Sequence, residues 1–301
     1  MNRVMAMFDL IQALWDQMRA DLQADTLPQL NHACHNLISG SLGPLTDLQR
    51  DDLGSVERAL IKITQRIEGA PINWADYSEA AHALRGPLNS TLGFSRLTLK
   101  GIDGPINEAQ REALETIYTG SRRLLALFNL LLDALLLVQK EIVVDMEPVR
   151  ADKILKELVA VGHTLADTRN YAFETDVKSQ VSQIVIEIDA QRLKQALSAL
   201  MAVLVRYMDD GIVTLRAWLN GQELLIQLEN LACQLPAPLL VNLCDLLTEK
   251  ADRSFPYDAH LRLGLATYLI NEMGGHLEAR QSDKMCTFTV TLPKTRYDLT
   301  G

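Results

Sequence analysis

The amino-acid sequence predicts an α-helical hairpin that forms a four-helix bundle, followed by an α+β sandwich, with extra helices at the N-terminus. Apolar residues recur at spacings of three and four through the first 140 residues, which is typical of helices. Beyond residue 147, short β-type runs alternate with helical ones, which favours helices layered on one face of a mixed sheet. The chain is rich in Leu and Ala while aromatic residues make up only 5%, which also favours helices over an all-β fold.

The bulk composition is that of a globular, acidic protein. The 301 residues suffice for two domains at ~150 residues each. Hydrophobic residues make up 48% of the chain and charged residues 22%, which excludes a disordered chain. The net charge of -9 and pI near 5.2 would repel phosphate backbones and anionic lipid, so neither nucleic acid nor a membrane surface is expected as a partner.

The four cysteines, Cys34, Cys233, Cys244 and Cys286, lack the spacing of a metal site. We expect free thiols in a reducing cytoplasm and no metal. The most apolar run, residues 124–138, is shorter than the ~18–20 residues that a membrane span needs, and it contains Asn129 and Asp133. A buried helix and a soluble, cytoplasmic protein are therefore expected.

The first predicted region, residues 1–72, reads as helical and ends at a glycine and proline near residue 70. It contains a weak internal repeat, since residues 43–53 match residues 104–114 position by position. A His-x-Leu triplet precedes each copy, at His35 and at His82. The repeat indicates either a degenerate duplicated hairpin or a coincidence between two ordinary helix starts.

The second region, residues 73–146, reads as a helical hairpin with its turn at residues 101–105. Both helices carry wide apolar stripes that two helices alone cannot bury, so a four-helix bundle is expected. Dimerisation would supply the other two helices. Alternatively, the helices of residues 1–70 complete the bundle within one chain.

The third region, residues 147–301, mixes helices and strands. In chain order we expect a helix over 151–168, a strand over 183–188, a helix capped by Asp189 that reaches about Tyr207, a hairpin of 212–218 and 223–228, an irregular segment up to His260, a helix over 263–273 that ends at Gly274-Gly275, and a strand over 287–292.

One histidine stands out because of its surroundings. His82 lies five residues ahead of Pro87 inside a predicted helix, and residues 81–89 resemble the phosphoacceptor box of sensor histidine kinases, usually His-Glu-Leu-Arg-Thr-Pro-Leu. Further segments resemble the same family, namely 189–197, 263–266, 273–277 and 287–293. The resemblance covers about 220 residues. It implies a dimerisation hairpin with His82 as candidate phosphoacceptor, followed by an ATPase-like domain of the GHKL type.

The helical period places His82 off the apolar face, so it should be accessible to solvent. An ordinary surface histidine would look the same. The resemblance also exposes two departures from the family pattern. Ala83 stands where members usually carry an acid, and Gly86 stands where family phosphatases place Thr or Asn. The kinase and the phosphatase reaction would each lose a polar side chain that assists the histidine, while the nucleophile, His82, remains.

The residues that would hold ATP depart further from the family. Val203 stands where an asparagine oxygen should meet Mg²⁺, and Gln234 replaces a glycine of the adenine-reading loop. Arg206, Asn230 and Gly264 are the candidate residues left, with Arg206 keeping a positive charge and Asn230 able to accept one hydrogen bond from adenine. We expect a degenerate site and no cofactor, with ATP and Mg²⁺ bound only if that site is still active.

Three functions agree with these observations. The first is a dimeric two-component signalling protein that docks a response-regulator receiver domain and passes phosphoryl groups through His82. The second is an active ATP-dependent histidine autokinase. The third is a non-catalytic scaffold or sensor module in which His82 takes no part.

Overall fold

A computed structural model describes residues 2–69, 77–139, 143–169, 171–208, 211–236 and 257–294. The chain divides into two compact units, Met1–Gln139 and Lys140–Gly301. The predicted fold class is confirmed, since a helical unit precedes a unit built on a β-sheet. Within the described ranges, no helix combines the length and the hydropathy needed to cross a membrane.

The first unit is all helical. Its elements are α1 (Asn2–Asp21), a π-helical segment (Leu22–Thr26), α2 (Leu27–Ile38), α3 (Asp47–Glu68), α4 (Tyr77–Leu99) and α5 (Glu108–Gln139). The π-helical turn widens the helix directly before Pro28, which has no backbone N–H to donate. The segment from α1 to α2 therefore forms one long arm, and α3 returns beside it.

Two hairpins build this unit, and together they form a four-helix bundle. The first hairpin, residues 2–68, consists of α1, α2 and α3; the second, residues 77–139, consists of α4 and α5. Helix α4 packs on α3 as well as α5, and α5 packs on α1 and α2. Of the two ways to complete the bundle that the sequence left open, the structure shows the one within a single chain.

The turns of the two hairpins are built alike. Gly40 and Gly101 have φ of 76° and 69°, and Gly43 and Gly104 have φ of 116° and 124°. L residues rarely adopt these values, so both turns need glycine at the same places. Each turn leads into a capping box, in which a polar N-cap and a glutamine bond each other's backbone N–H.

The register of the repeat follows from these two capping boxes. Thr46 and Asn107 are the N-caps, with Gln49 and Gln110 as their partners, so equivalent positions are 61 residues apart. The two His-x-Leu triplets that precede the repeat are not at equivalent positions. His35 lies in the last turn of α2 and is equivalent to Arg96. The π-helical turn adds one residue, so His82 is equivalent to Ala20, as buried Leu84 is to buried Leu22.

The second unit contains a five-stranded and a two-stranded sheet. Its elements are β1 (Glu147–Arg150), α6 (Ala151–Arg169), β2 (Ala172–Val177), a 3-10 turn (Ser179–Gln183), β3 (Val185–Ile188), α7 (Ala190–Tyr207), β4 (Ile212–Asn220), β5 (Glu223–Asn230), α8 (Tyr257–Glu272), β6 (His276–Ser282) and β7 (Met285–Pro293). The five-stranded order is β2-β4-β5-β7-β6, with β2 and β4 parallel and the other pairs antiparallel. Strands β1 and β3 pair separately.

Most of the predicted elements of this unit are present. Asp189 caps α7 by accepting a hydrogen bond from the Arg192 N–H, and Gly274 follows α8 with φ of 72°. Strands β1, β2 and β6 were not predicted, and α8 begins at Tyr257, six residues before the predicted start. Most of the predicted irregular segment, residues 237–256, lies outside the described residues.

Candidate functional site

His82 lies in the N-terminal half of α4, and its side chain is exposed as the helical period predicted. Leu84 and Leu88 on the same helix are buried in the bundle, with 2% and 1% of their surface accessible. Because these two residues face the core, they fix the rotation of α4 and turn His82 outward. Pro87 lies inside α4, which continues unbroken to Leu99.

The residues beside His82 in sequence supply little polar chemistry. Ala83 is half-buried, and Gly86 is exposed, with no atom within 4 Å of the place where a Cβ would stand. One turn further, the Arg85 guanidinium donates a hydrogen bond from Nε to Asn129 Oδ1 on α5, at 2.9 Å. This hydrogen bond therefore ties α4 to α5 one turn away from His82.

A groove runs between α4 and α5. Its volume is about 470 Å³, and it is lined by Leu92, Gly93, Arg96, Tyr118, Arg122, Leu125, Ala126 and Asn129. The Arg122 guanidinium lies over the Tyr118 ring, 5.8 Å from its centre. Asn129 belongs both to the groove and to the bond with Arg85, so the groove begins close to the His82 end of the hairpin. It offers an apolar floor and two arginine side chains.

In the second unit, Asn230 ends β5 and is completely buried. Its amide Nδ2 donates to the Ile212 carbonyl at 3.1 Å and to Met208 Sδ at 3.4 Å, and its Oδ1 accepts from the Ala232 N–H at 2.7 Å. Both ends of this amide are thus used by the protein itself. Sequence reasoning could not find these partners, because the pairing of β4 with β5 brings Ile212 to Asn230.

The backbone N–H groups that follow Asn230 are also hydrogen-bonded within the protein. The N–H groups of residues 233, 234 and 235 donate to the Lys284 carbonyl at 2.9 Å, the Tyr207 carbonyl at 3.3 Å and Gln281 Oε1 at 2.8 Å. Together with the Ala232 N–H, four consecutive donors of this segment have partners inside the protein. The segment joins the end of α7 to the turn between β6 and β7.

Arg206, in the last turn of α7, forms an ion pair with Asp258 in the first turn of α8, with 2.7 Å between Nη1 and Oδ2. The Asp258 side chain is 13% exposed, so this cation has a nearly buried counter-ion of its own. Val203 is completely buried, and Gly264 is buried within α8. The structure thus places Val203 and Arg206 on α7, Asn230 at the end of β5 and Gly264 on α8. It adds Asp258, which the sequence did not single out.

The sulfur chemistry of the described residues agrees with the expected free thiols. Cys34, Cys233 and Cys286 are buried, and none of these three described cysteines forms a disulfide. Burial, helped by the nearby Glu57 carboxylate, raises the pKa of Cys34 to about 12. A hydrogen bond with Cys233 lowers the pKa of Cys286 to about 7, against the opposing effect of burial.

Residues 78–134 of this chain match the His Kinase A (phospho-acceptor) domain family. The matched segment contains His82 and almost all of α4 and α5. A domain of this family suggests dimerisation, in which the hairpins of two chains form one four-helix bundle.

Curated relatives extend the similarity to the second unit. The chain is 25% identical over 219 residues to the circadian input-output histidine kinase CikA of Synechococcus elongatus, which covers 71% of this chain. It is 27% identical over 251 residues to the signal transduction histidine-protein kinase BarA of Escherichia coli, which covers 81%. These alignments span only 29% and 27% of the two relatives, respectively.

Among solved structures, full-length ShkA in complex with AMPPNP superposes with a TM-score of 0.55 at 20% sequence identity. The superposition covers 73% of this chain and 45% of ShkA. At this level of identity the likeness concerns the fold, that is, a helical region followed by a sheet domain of the histidine kinase catalytic type.

Proposed function

Because this chain belongs to the sensor histidine kinase family, we propose that it is a two-component signalling protein that docks a receiver domain beside His82 and passes phosphoryl groups through it. In this proposal the phosphoryl group comes from the receiver domain and not from ATP. The observation that carries the proposal is a contrast. His82 is exposed on the hairpin that also carries an open groove, whereas Asn230 and Arg206, which should hold ATP, are engaged in internal hydrogen bonds and an ion pair.

The surface around His82 suits an acidic partner. Arg85, Arg96 and Arg122 lie along the α4–α5 side of the hairpin, although the whole chain carries a net charge of -9. The phosphorylation site of a receiver domain is an acidic pocket with an aspartate at its centre. Arginine side chains at the rim would steer such a pocket towards the imidazole, and the apolar floor of the groove would bury part of the partner.

The transfer itself requires little beyond an accessible histidine. A neutral imidazole is a nucleophile near neutral pH. The lone pair of one ring nitrogen attacks the phosphorus of the receiver's aspartyl phosphate, the P–N bond forms, the acyl P–O bond breaks, and the aspartate leaves as a carboxylate. Docking supplies proximity and orientation, which can account for most of the rate gain of such a reaction.

The internal contacts of the second unit support a degenerate nucleotide site. To bind adenine, Asn230 would have to give up partners that satisfy a fully buried amide. Asp258 neutralises much of the Arg206 charge, which weakens the attraction of this side chain for phosphates. At the metal position, Val203 offers no oxygen ligand to a hard cation such as Mg²⁺. The residues present therefore do not fit Mg-ATP, and no step of the proposed reaction uses it.

Calorimetric titration with Mg-ATP tests this part of the proposal. We expect no saturable heat at millimolar nucleotide and no rise in melting temperature, because a ligand that binds the native state must stabilise it. Saturable binding would contradict the proposal and favour the ATP-dependent autokinase. A histidine kinase with an intact site, titrated in parallel, verifies that the nucleotide and metal are competent.

Charge reversal in the groove tests receiver docking. In a pull-down with the receiver domains of the same genome, Arg96→Glu and Arg122→Glu should weaken binding by at least tenfold. Arg50→Glu, an equal charge change at an exposed position of the first hairpin, should leave binding unchanged. Equal loss in all three variants would indicate an effect of net charge and would contradict docking at the groove.

One observation favours a second candidate, a non-catalytic scaffold. Ala83 and Gly86 provide neither the acid nor the amide that family members place beside the histidine. In a scaffold, His82→Ala would leave the signalling output unchanged, whereas the relay predicts complete loss of phosphoryl transfer with receiver binding retained.

A further inference from the structure

The turns of the two hairpins hold one another by reciprocal hydrogen bonds. Thr46 Oγ1 donates to the Asp103 carbonyl at 2.8 Å, and Gln49 Nε2 donates to the carbonyls of Gly104 and Pro105 at 3.1 and 3.2 Å. In the opposite direction, Asn107 Nδ2 donates to the Leu42 carbonyl at 2.7 Å, and Gln110 Nε2 donates to the Pro44 carbonyl at 3.1 Å. Each capping box thus serves its own helix and the turn of the other hairpin.

This exchange has the pattern of a two-fold interface between two copies of a hairpin, since equivalent residues make equivalent bonds in both directions. The two glutamines are almost completely buried, with 1% of Gln49 and 3% of Gln110 exposed. In both glutamines the amide oxygen accepts from the backbone N–H of the N-cap residue. The amide nitrogen donates to a carbonyl in the turn of the other hairpin.

The core residues of the two hairpins are complementary in size rather than equal. Four buried positions of the first hairpin, Leu30, Cys34, Leu37 and Leu60, correspond by the 61-residue register to Thr91, Ser95, Thr98 and Ser121 of the second. Two copies of the second hairpin would bring small polar side chains together at these levels and leave the core underfilled. The first hairpin supplies the missing apolar volume.

Direct contacts show how closely the hairpins fit. A Cβ built on Gly120 of α5 would lie 2.6 Å from Leu30 Cδ2 of α2, so only glycine leaves room for this leucine. Trp15 of α1 packs edge-on against Phe128 of α5, with ring centres 6.4 Å apart. Arg66 of α3 forms an ion pair with Glu79 of α4 at 3.4 Å.

From these observations we infer that residues 2–68 replace the hairpin of a second subunit, so that the chain is a monomer with one phosphoacceptor position per four-helix bundle. A symmetric pair of hairpins would carry two histidines at equivalent places. Here the π-helical turn adds one residue to the first hairpin, so buried Leu84 corresponds to buried Leu22 and His82 corresponds to Ala20. The first hairpin therefore offers no second histidine at this level. The surface on which a second copy would pack is covered by the chain's own first hairpin.

The molar mass in solution tests the inference on the unmodified chain. Light scattering behind size-exclusion chromatography should give the monomer mass of 33.6 kDa over the whole accessible concentration range. Twice that mass, or a mass that rises with concentration, would overturn the inference.

A disulfide tests where the first hairpin comes from. Leu30 Cγ lies 3.4 Å from the Cβ position built on Gly120, so the sulfur of a cysteine at position 30 would reach a cysteine at position 120. Oxidation of the double variant Leu30→Cys/Gly120→Cys should give an intramolecular bond, seen on a non-reducing gel as a faster-moving monomer. The single variants should show no such band.

A covalent dimer from the double variant would mean that hairpins are exchanged between chains, and would also overturn the inference. If the double variant does not fold, the mass of the unmodified chain remains decisive. Neither result depends on nucleotide binding or on phosphoryl transfer, so the oligomeric inference and the proposed function can fail separately.

Discussion

At the scale of single residues, three buried side-chain amides hold neighbouring segments of this protein together. Gln49, Gln110 and Asn230 are nearly or fully buried, and each uses both ends of its amide. The sequence showed the two glutamines only as matching positions of a weak repeat, and it placed His82 on the exposed side of its helix. It could not suggest the partners of Asn230 or the pairing of Arg206 with Asp258, because those depend on which strands and helices become neighbours.

Gln49→Ala should lower the free energy of unfolding of the helical unit by about 1–3 kcal/mol, because two turn carbonyls lose their donor and the cap loses one bond. Urea unfolding followed by circular dichroism measures the change. Gln65→Ala, at an exposed position of the same helix, is the control and should stay within about 0.5 kcal/mol. Equal effects of the two substitutions would show that the hydrogen bonds between the two turns contribute nothing to the free energy of unfolding.

Cys34 should be unreactive in the native protein. Because burial and Glu57 raise its pKa to about 12, almost no thiolate, the reactive form, exists at pH 8. Iodoacetamide treatment followed by peptide mass spectrometry should find Cys34 unmodified in the folded chain and alkylated after denaturation. Rapid native alkylation of Cys34 would contradict the packing of α2 in the bundle.

At the scale of elements, the repeated turn and capping box organise the helical unit. The sequence predicted the hairpins and the weak repeat because Gly, Pro and cap residues act locally. It missed β1, β2 and β6, which are short or lack alternating apolar residues and are mostly exposed. Their strand structure depends on pairing with neighbouring strands, which the local sequence does not show. It placed the start of α8 too late, because Tyr257-Asp258-Ala259-His260 carries no periodic apolar signal.

Two helical glycines form a matched pair for testing the contact between the hairpins. Gly93→Ala, with open space at the Cβ position, should stabilise the protein by about 0.5–1 kcal/mol through helix propensity. Gly120→Ala should instead destabilise it by about 1–3 kcal/mol, because the new methyl group meets Leu30 in the core. Thermal or urea unfolding compares the two. Similar stabilisation by both would mean that α2 does not pack on α5 as described.

The carboxyl groups of Asp52 and Asp103 should make the stability depend on pH. Burial, a hydrogen bond with Asp103, and repulsion from Asp103 and Asp51 raise the pKa of Asp52. Asp103 Oδ2 is buried without a hydrogen-bond donor. A proton on Asp52 therefore removes the repulsion between the two carboxylates. A raised folded-state pKa contributes stability at low pH that is lost as pH rises through that pKa.

Asp52→Asn should therefore raise the melting temperature at neutral pH, and the gain should shrink as pH falls towards the ordinary aspartate pKa of about 4. Melting curves across this pH range measure the effect. Asp51→Asn removes the same charge at an exposed neighbouring position and should give a smaller gain. A gain for Asp52→Asn that grows on acidification would contradict this account of the pair.

At the scale of the whole molecule, a helical unit that carries the exposed His82 precedes a unit built on a β-sheet. The order of the two units was predictable, since hydrophobic periodicity changes near residue 147. The origin of the other two bundle helices was not predictable, because a second copy and residues 2–68 bury equivalent apolar stripes. Core volume decides between them, and volume complementarity between distant segments cannot be deduced from sequence periodicity.

The central claim is that His82 receives phosphoryl groups from a receiver domain and not from ATP. The direct measurement compares radiolabel transfer to the chain from phosphorylated receiver domains of the same genome with transfer from ATP labelled at the γ-phosphate. The account predicts acid-labile label from at least one receiver domain, lost in His82→Ala, and none from ATP. Label from ATP, or no label from any receiver domain, would contradict it.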